Sequence, residues 1–170
     1  MATALFITRN DIIKNTSLQG AIDADALLPF MYTAQVKYLK NLLGTVLYDY
    51  LALQIETRTP FTGAYADLMT DHVKPTLIWY SAVEYIPFSS IQFKSNGAVK
   101  QQSEQGIAPT KGEIDYLLAK AQANADYYAL RLQNYLISYS QFIPQYLQSV
   151  GNQTQIYPDQ SNQYFGGIQL

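Results

Sequence analysis

The sequence predicts a mainly α fold: a helical bundle with a long C-terminal helix, one β-hairpin insertion and an extended C-terminal tail. Three observations carry this. Apolar residues recur at i, i+3 and i+4 along several stretches, the longest running from Ile114 to Tyr139. The pair Asn96-Gly97 lies between two short strand-like runs, the strongest local signature of a two-residue hairpin turn. The last 26 residues, from Gln145, carry one charged side chain against nine Asn or Gln and four aromatics, too polar a stretch to form a core of its own. The expected organisation is a helical body over 1–143, with the hairpin at about 91–102, and an extended arm over 144–170.

Leu5 to Ile7 form a short arm, and the Thr8 hydroxyl is placed to cap a helix, with Asp11 answering three residues later. That helix runs to about Asn15. Beyond Gly20, Asp23 and Asp25 mark a helix N-terminus, and Pro29 is expected inside the first turn, where it is tolerated. Leu27, Met31, Ala34, Tyr38 and Leu42 make its apolar stripe, and Gly44 is placed to end it with a left-handed residue. Thr45 opens the next helix, with Leu47, Leu51 and Ile55 inward, and the turn-rich Thr57 to Pro60 closes it. Thr62 to Val73 is amphipathic, and Pro75 is expected to kink or break it. The stretch TLIWYSAVEYIPF, Thr76 to Phe88, is apolar nearly all the way round, the mark of a helix enclosed by others; Pro87 ends it.

In the hairpin, Ile91, Phe93 and Ala98 fall on one side and Val99 on the other. A lone two-stranded hairpin is marginally stable in water, so this one must lean on its own helices or on a neighbouring chain. Thr110 with Glu113 makes a capping box for a helix expected from Lys111 to about Phe142, roughly 48 Å long at 1.5 Å per residue. Fully extended, the tail beyond it would reach on the order of 85 Å.

Composition narrows the chemistry. The 170 residues are the size of one domain. With no cysteine and His72 as the only histidine, disulfide scaffolds, thiolate nucleophiles, Cys/His zinc sites and multi-histidine iron or copper sites are excluded. Eleven Lys and Arg are scattered without a cluster and the formal charge is −2, so the basic footprint of a nucleic-acid binder is missing. Neither a GxxxxGK[ST] loop nor a strand-borne GxGxxG is present. The opening lacks a signal-peptide pattern and no run approaches 18 apolar residues, so a soluble product made inside the cell is expected, with no membrane partner. Charged residues make up 14% of the chain, well under the ~25% usual for globular domains, while Tyr reaches 15. Interfaces are depleted in Lys, Glu and Asp and enriched in Tyr, which points to a subunit of a larger assembly.

Three constellations bear on chemistry. Asp67, Asp71 and His72 could converge on one helix face as a hard-metal or acid/base site, but a solvated helix side looks the same and no second acidic cluster completes it. Glu84 is the one ionisable group in the enclosed helix; burial would raise its pKa as in catalytic acids, but without a Ser/His or Cys/His partner set a structural carboxylate paired with Arg, Lys or Tyr explains it better. Tyr127, Tyr128, Tyr135 and Tyr139 could form an aromatic platform, but without a basic groove core or interface packing explains them better. No motif supports an enzyme, and no cofactor is expected.

The segments LFITRNDIIKNT, YTAQVKYLKNLLGTVLYDYL, VKPTLIWYSAVEYIPFSS, SNGAVKQQSE and YYALRLQNYL, in this order and spacing, resemble a family of small virion proteins of crAss-like and related tailed bacteriophages. That family is similar in arrangement to the head-to-tail connector adaptors, which assemble as rings, commonly of twelve copies, beneath the portal. The resemblance spans about Leu5 to Phe142. It implies a virion neck protein made in the host cytoplasm, joined to its own copies, to the portal and to other neck or tail rings. It implies no sequence-specific nucleic-acid binding, although DNA would pass through the ring. Carried over by position, it implicates the hairpin, through Phe93, Lys94, Asn96, Gly97 and Val99, and the tail, through Tyr146, Tyr157, Tyr164 and Phe165, as interface residues. Another neck component, a stopper or tail-terminator ring, is the nearest alternative. A small carboxylate-dependent enzyme and a scaffolding module recruiting through its tail are the more distant ones.

Overall fold

The computed structural model describes residues 4–16, 18, 24–89, 91–94, 97–100, 110–148 and 156–158. Helix α1 (Arg9–Asn15) opens on the expected capping box: Thr8 Oγ1 accepts from the Asp11 N–H, and Asp11 Oδ2 accepts from the Thr8 N–H at 2.7 Å. Helix α2 (Ala24–Ala34) runs through a π turn, Gln35–Leu39, directly into α3 (Lys40–Leu43). Pro29 therefore lies in the second turn of α2 rather than the first, where its missing N–H removes one helical bond without stopping the helix. Gly44 ends α3 with φ of +74°, and α4 (Thr45–Glu56) starts beside it.

The next helix is continuous where a break was expected. Helix α5 (Ala64–Asp67) passes through a second π turn, Leu68–Val73, into α6 (Lys74–Tyr85). The Lys74 N–H bonds the Met69 carbonyl five residues back. Widening the turn just ahead of Pro75 gives its ring room against the carbonyl four residues earlier, so the proline sits in the first turn of α6 and the axis goes on. A 3₁₀ turn, Ile86–Phe88, contains Pro87 and ends the run. The backbone then forms two strands, β1 (Ile91–Lys94) and β2 (Gly97–Lys100), paired antiparallel with Ile91 opposite Lys100 and Lys94 opposite Gly97. Helix α7 (Lys111–Ser138) has its Thr110–Glu113 capping box and stops four residues short of the expected end, where a 3₁₀ turn, Ser140–Phe142, takes over. Its 28 residues span roughly 42 Å.

Helix α6 is the centre of the core. Its most extensive contacts are with α7 and then α2, and α1 also packs on it. Thr76, Leu77, Ile78, Tyr80, Ser81, Ala82 and Val83 are buried, which leaves little of its circumference to solvent. Helix α7 meets the core with Ala121, Ala125 and Ala129, small residues one i+4 step apart, and then with Leu132 and Leu136. Within the apolar periodicity that runs from Ile114 to Tyr139, Leu117 and Tyr139 are 49% and 43% exposed.

The hydroxyls that α6 buries bond backward along the helix: Thr76 donates to the His72 carbonyl and Ser81 to the Leu77 carbonyl, each at 2.7 Å. Gln35, in the first π turn, is wholly buried and bonds outward from its helix. Its Oε1 accepts from the Phe6 N–H at 3.2 Å, and its Nε2 donates to the Ala4 carbonyl and the Tyr48 hydroxyl, both at 2.8 Å. One amide thus fastens the N-terminal arm to the body the way a strand partner would. The buried side chains of Phe6 and Ile7 complete the seat, with Phe6 stacked on Tyr48 at 5.3 Å.

The body does not end at residue 143. Ile143 and Tyr146 are buried at 0% and 1% exposure, and the Tyr65 hydroxyl donates to the Gln145 side chain. Farther on, the Thr45 N–H bonds the Ile156 carbonyl, and the Ile156 N–H bonds Thr45 Oγ1, both at 2.9 Å. The expected division into a body and a separate arm at 144 is thus corrected for these stretches. Tyr146, expected as an anchor for a partner, is spent on the chain's own core.

Both attachments have measurable consequences. Gln35→Leu leaves the Phe6 N–H buried without its acceptor, which costs about 1–3 kcal/mol in chemical denaturation and makes the first residues the earliest site of limited proteolysis. Tyr146→Ala lowers the stability of the isolated chain by about 3–5 kcal/mol in the same assay, with no partner present.

Candidate functional site

The Glu84 carboxylate on α6 faces the first π turn. Its Oε1 accepts from Lys37 Nζ at 2.8 Å and from the Tyr38 hydroxyl at 2.7 Å. Burial pushes the carboxyl pKa up, but the hydrogen bonds from Lys37 and Tyr38 and the Lys37 charge outweigh it, and the net shift is downward. A carboxyl held ionised in this way is a structural partner, not a proton donor poised near neutrality. Lys37 is correspondingly raised by the Glu84 and Tyr38 hydrogen bonds. The Tyr38 ring stacks on Tyr80 with centroids 4.0 Å apart, and the Tyr80 hydroxyl faces Asp126 of α7 at 3.4 Å. Burial, helped by the Asp126 charge, pushes the Tyr80 phenol up to about 12. The network ties the π turn, α6 and α7 together.

The second π turn carries Asp71 and His72, with Asp67 just ahead of it, and turns the imidazole onto a neighbouring ring. The His72 ring stacks on Tyr135 of α7 at 4.3 Å, and Tyr135 stacks in turn on Tyr139 at 4.5 Å. Its Nδ1 is buried with no hydrogen-bond partner among the described residues. Burial, reinforced by the Arg131 charge, lowers its pKa against the opposing pull of Asp71 and Asp67. The imidazole serves as a neutral aromatic wedge. Among the described residues no group of three His, Cys, Asp or Glu side chains could hold a metal ion. No described helix is long and apolar enough to cross a membrane.

The tyrosines of the expected platform divide between roles. Tyr135 and Tyr139 belong to the His72 stack, while Tyr127 and Tyr128 meet edge to face at 5.3 Å with Arg131 about 6 Å from both rings. Of the expected interface residues, Tyr157 is 53% exposed. Phe93, Lys94, Gly97 and Val99 lie on the paired strands, and their side chains, like all of Asn96, Tyr164 and Phe165, fall outside the described residues.

Apart from Tyr127, the residues of two exposed apolar faces lie outside the sequence-based expectations. Leu28, Tyr32 and Val36 are exposed along one side of α2 and its π turn. Tyr116, Tyr127, Leu130 and Ile137 are exposed along α7, opposite its buried alanines. The stripes lie on two separate helices, α2 and α7, each of which packs on α6. Their helical spacing was visible in the sequence. Nothing in the sequence alone separates an inward stripe from an outward one when both are apolar.

Both perturbed groups shape the pH dependence of stability. The folded pKa values of Glu84 and His72 are shifted down, so each contribution is complete above the group's ordinary pKa and is lost as pH falls through the lowered value. In urea titrations, His72→Phe should flatten the loss of stability below about pH 6.5, and Glu84→Gln the further loss below about pH 4.3.

The comparisons with known proteins rest on a family model. The model of DUF6712, described as a family of unknown function, matches residues 39–156. That span takes in the chain from the end of the first π turn, through α4 to α7, to the Ile156 contact with Thr45. No curated protein and no solved structure matches the sequence. With more than half of its length matched, the chain belongs to the DUF6712 family, whose function is unknown.

Proposed function

We propose that this chain is a structural, non-enzymatic subunit of a tailed-bacteriophage neck, assembling with its own copies into a head-to-tail connector ring beneath the portal. One observation carries the reading: two separate apolar helix faces, Leu28–Tyr32–Val36 and Tyr116–Tyr127–Leu130–Ile137, are exposed on two different helices of one small bundle. A ring is closed by heterologous contacts, in which one patch of each copy fits a different patch of the next. Two unlike faces on separate helices suit that requirement, whereas a twofold dimer needs one.

Low charge supports the same reading. Contacts rich in Tyr and Leu and poor in Lys, Glu and Asp match the interior of protein interfaces. The backbone edges of the β1–β2 pair offer a further strand-addition site for a neighbour, and Tyr157 is exposed for one. The resemblance to connector adaptors supplies the particular assembly, the twelvefold copy number and the portal as partner.

Native mass spectrometry and light scattering, with and without portal, test the proposal. The expected result is a closed oligomer that joins the portal, and loss of that oligomer in a Tyr127→Glu, Leu130→Glu double variant whose helical circular dichroism is unchanged. A wild-type chain that stays monomeric and never joins portal or tail proteins would sink it.

A further inference from the structure

Helix α4 begins without a cap of its own, because its N-cap residue is Gly44, with no side chain to offer. The acceptor comes from far along the chain: the Ile156 carbonyl takes the Thr45 N–H, and Thr45 Oγ1 takes the Ile156 N–H, each at 2.9 Å. Two residues on, Pro158 is buried against Gly44. A Cβ on Gly44 would meet the Pro158 ring at 2.7–2.8 Å, and the φ of +74° already disfavours any side chain there. The Gly44–Thr45 corner is therefore a shaped seat. It reads the backbone of one extended residue through both of its polar groups, and a proline ring two positions later through the glycine hollow.

The residues it holds are otherwise loosely invested in the body. Ile156 is 41% and Tyr157 53% exposed, so two large side chains sit on the seat facing solvent. Among the described residues, the buried side chain that precedes them is Tyr146, at 1% exposure. Between Tyr146 and Ile156 lie nine residues, a tether that reaches roughly 30 Å when extended. That reach is about twice the ~14 Å radius of gyration expected for a body of this length.

We infer that the Gly44–Thr45 corner is a binding site for an extended Ile-Tyr-Pro segment, and that its occupant in the assembled protein is Ile156–Pro158 of a second copy. Exchange keeps both hydrogen bonds and the proline seat, since donor and recipient have the same sequence. It also places Ile156 and Tyr157 at a junction between two copies, where their exposed surface is buried. The inference rests on the self-assembly proposed above and names one of its contacts.

The absence of native cysteine makes the test clean. Full-length Thr45→Cys and Ile156→Cys chains are mixed under assembly conditions and oxidised, and the same sample is sized by light scattering. The expected product is a covalent dimer linking one variant to the other, absent when either variant is oxidised alone. A double variant carrying both substitutions calibrates the geometry: diluted to monomer, it should close a bond within one chain. Oligomers that form without the mixed dimer, while the double variant still closes internally, overturn exchange but leave ring assembly standing. A double variant that fails to close at all overturns the seat. A sample that stays monomeric throughout refutes both exchange and the assembly on which it rests.

Discussion

The structure depends on enclosing one helix. Helix α6 presents apolar surface in almost every direction, and a helix of that kind is stable in water only between others. Helices α2 and α7 supply the two sides, and the inner face of each is committed to α6 by that act. The polar groups α6 carries must then be satisfied locally or by the flanking helices. Thr76 and Ser81 bond their own helix, Glu84 reaches the π turn after α2, and Tyr80 faces α7. Beyond the inner faces, several large apolar residues of α2 and α7 are left exposed. The exposed stripes are a consequence of the central helix being so apolar in a chain this short.

The two π turns serve the same enclosure. A π turn inserts one residue into a helix and rotates its C-terminal part by about a quarter turn against its N-terminal part. At Gln35–Leu39 the insertion accompanies the buried amide of Gln35, which fastens the arm. At Leu68–Val73 it brings His72 against Tyr135 and seats Pro75 without breaking the axis. In both places a buried polar ring or amide is accommodated by adjusting the backbone rather than by moving a helix.

The features legible in the sequence were local. Both capping boxes, Thr8 with Asp11 and Thr110 with Glu113, are read from residues three apart, and Gly44 as a helix stop from its freedom to adopt positive φ. The enclosed helix was legible because its apolar residues leave no polar face. The features that escaped were set by distant partners. Nothing near Gln35 says that its amide will bind Ala4 and Phe6. Tyr146 sits in a polar, proline-flanked stretch that reads as an arm, and only the three-dimensional packing of the body makes it core. Pro75 is a breaker by local rules, and the widened turn that accommodates it has no sequence signature of its own. For Glu84 the sequence favours a structural carboxylate over a catalytic acid but cannot name its partners, since the lysine and tyrosine that hold it lie 47 and 46 residues away.

The allotment of tyrosine connects core and surface. Tyr38, Tyr48, Tyr65 and Tyr80 point inward and spend their hydroxyls on Glu84, Gln35, Gln145 and Asp126. Tyr116, Tyr127 and Tyr157 point outward. A phenol can do either because its ring is apolar and its edge is polar, so it remains compatible with water until a partner covers it. A chain with 14% charged residues has few other means of presenting an interface that stays wetted beforehand. Contacts built from such residues draw on area and shape, which act over a few ångströms, rather than on long-range charge. In the proposed assembly, copies would then have to be close and correctly turned before the faces could engage. The proposed exchange of Ile156–Pro158 would meet that need, since holding two chains together raises the local concentration of one face near the other.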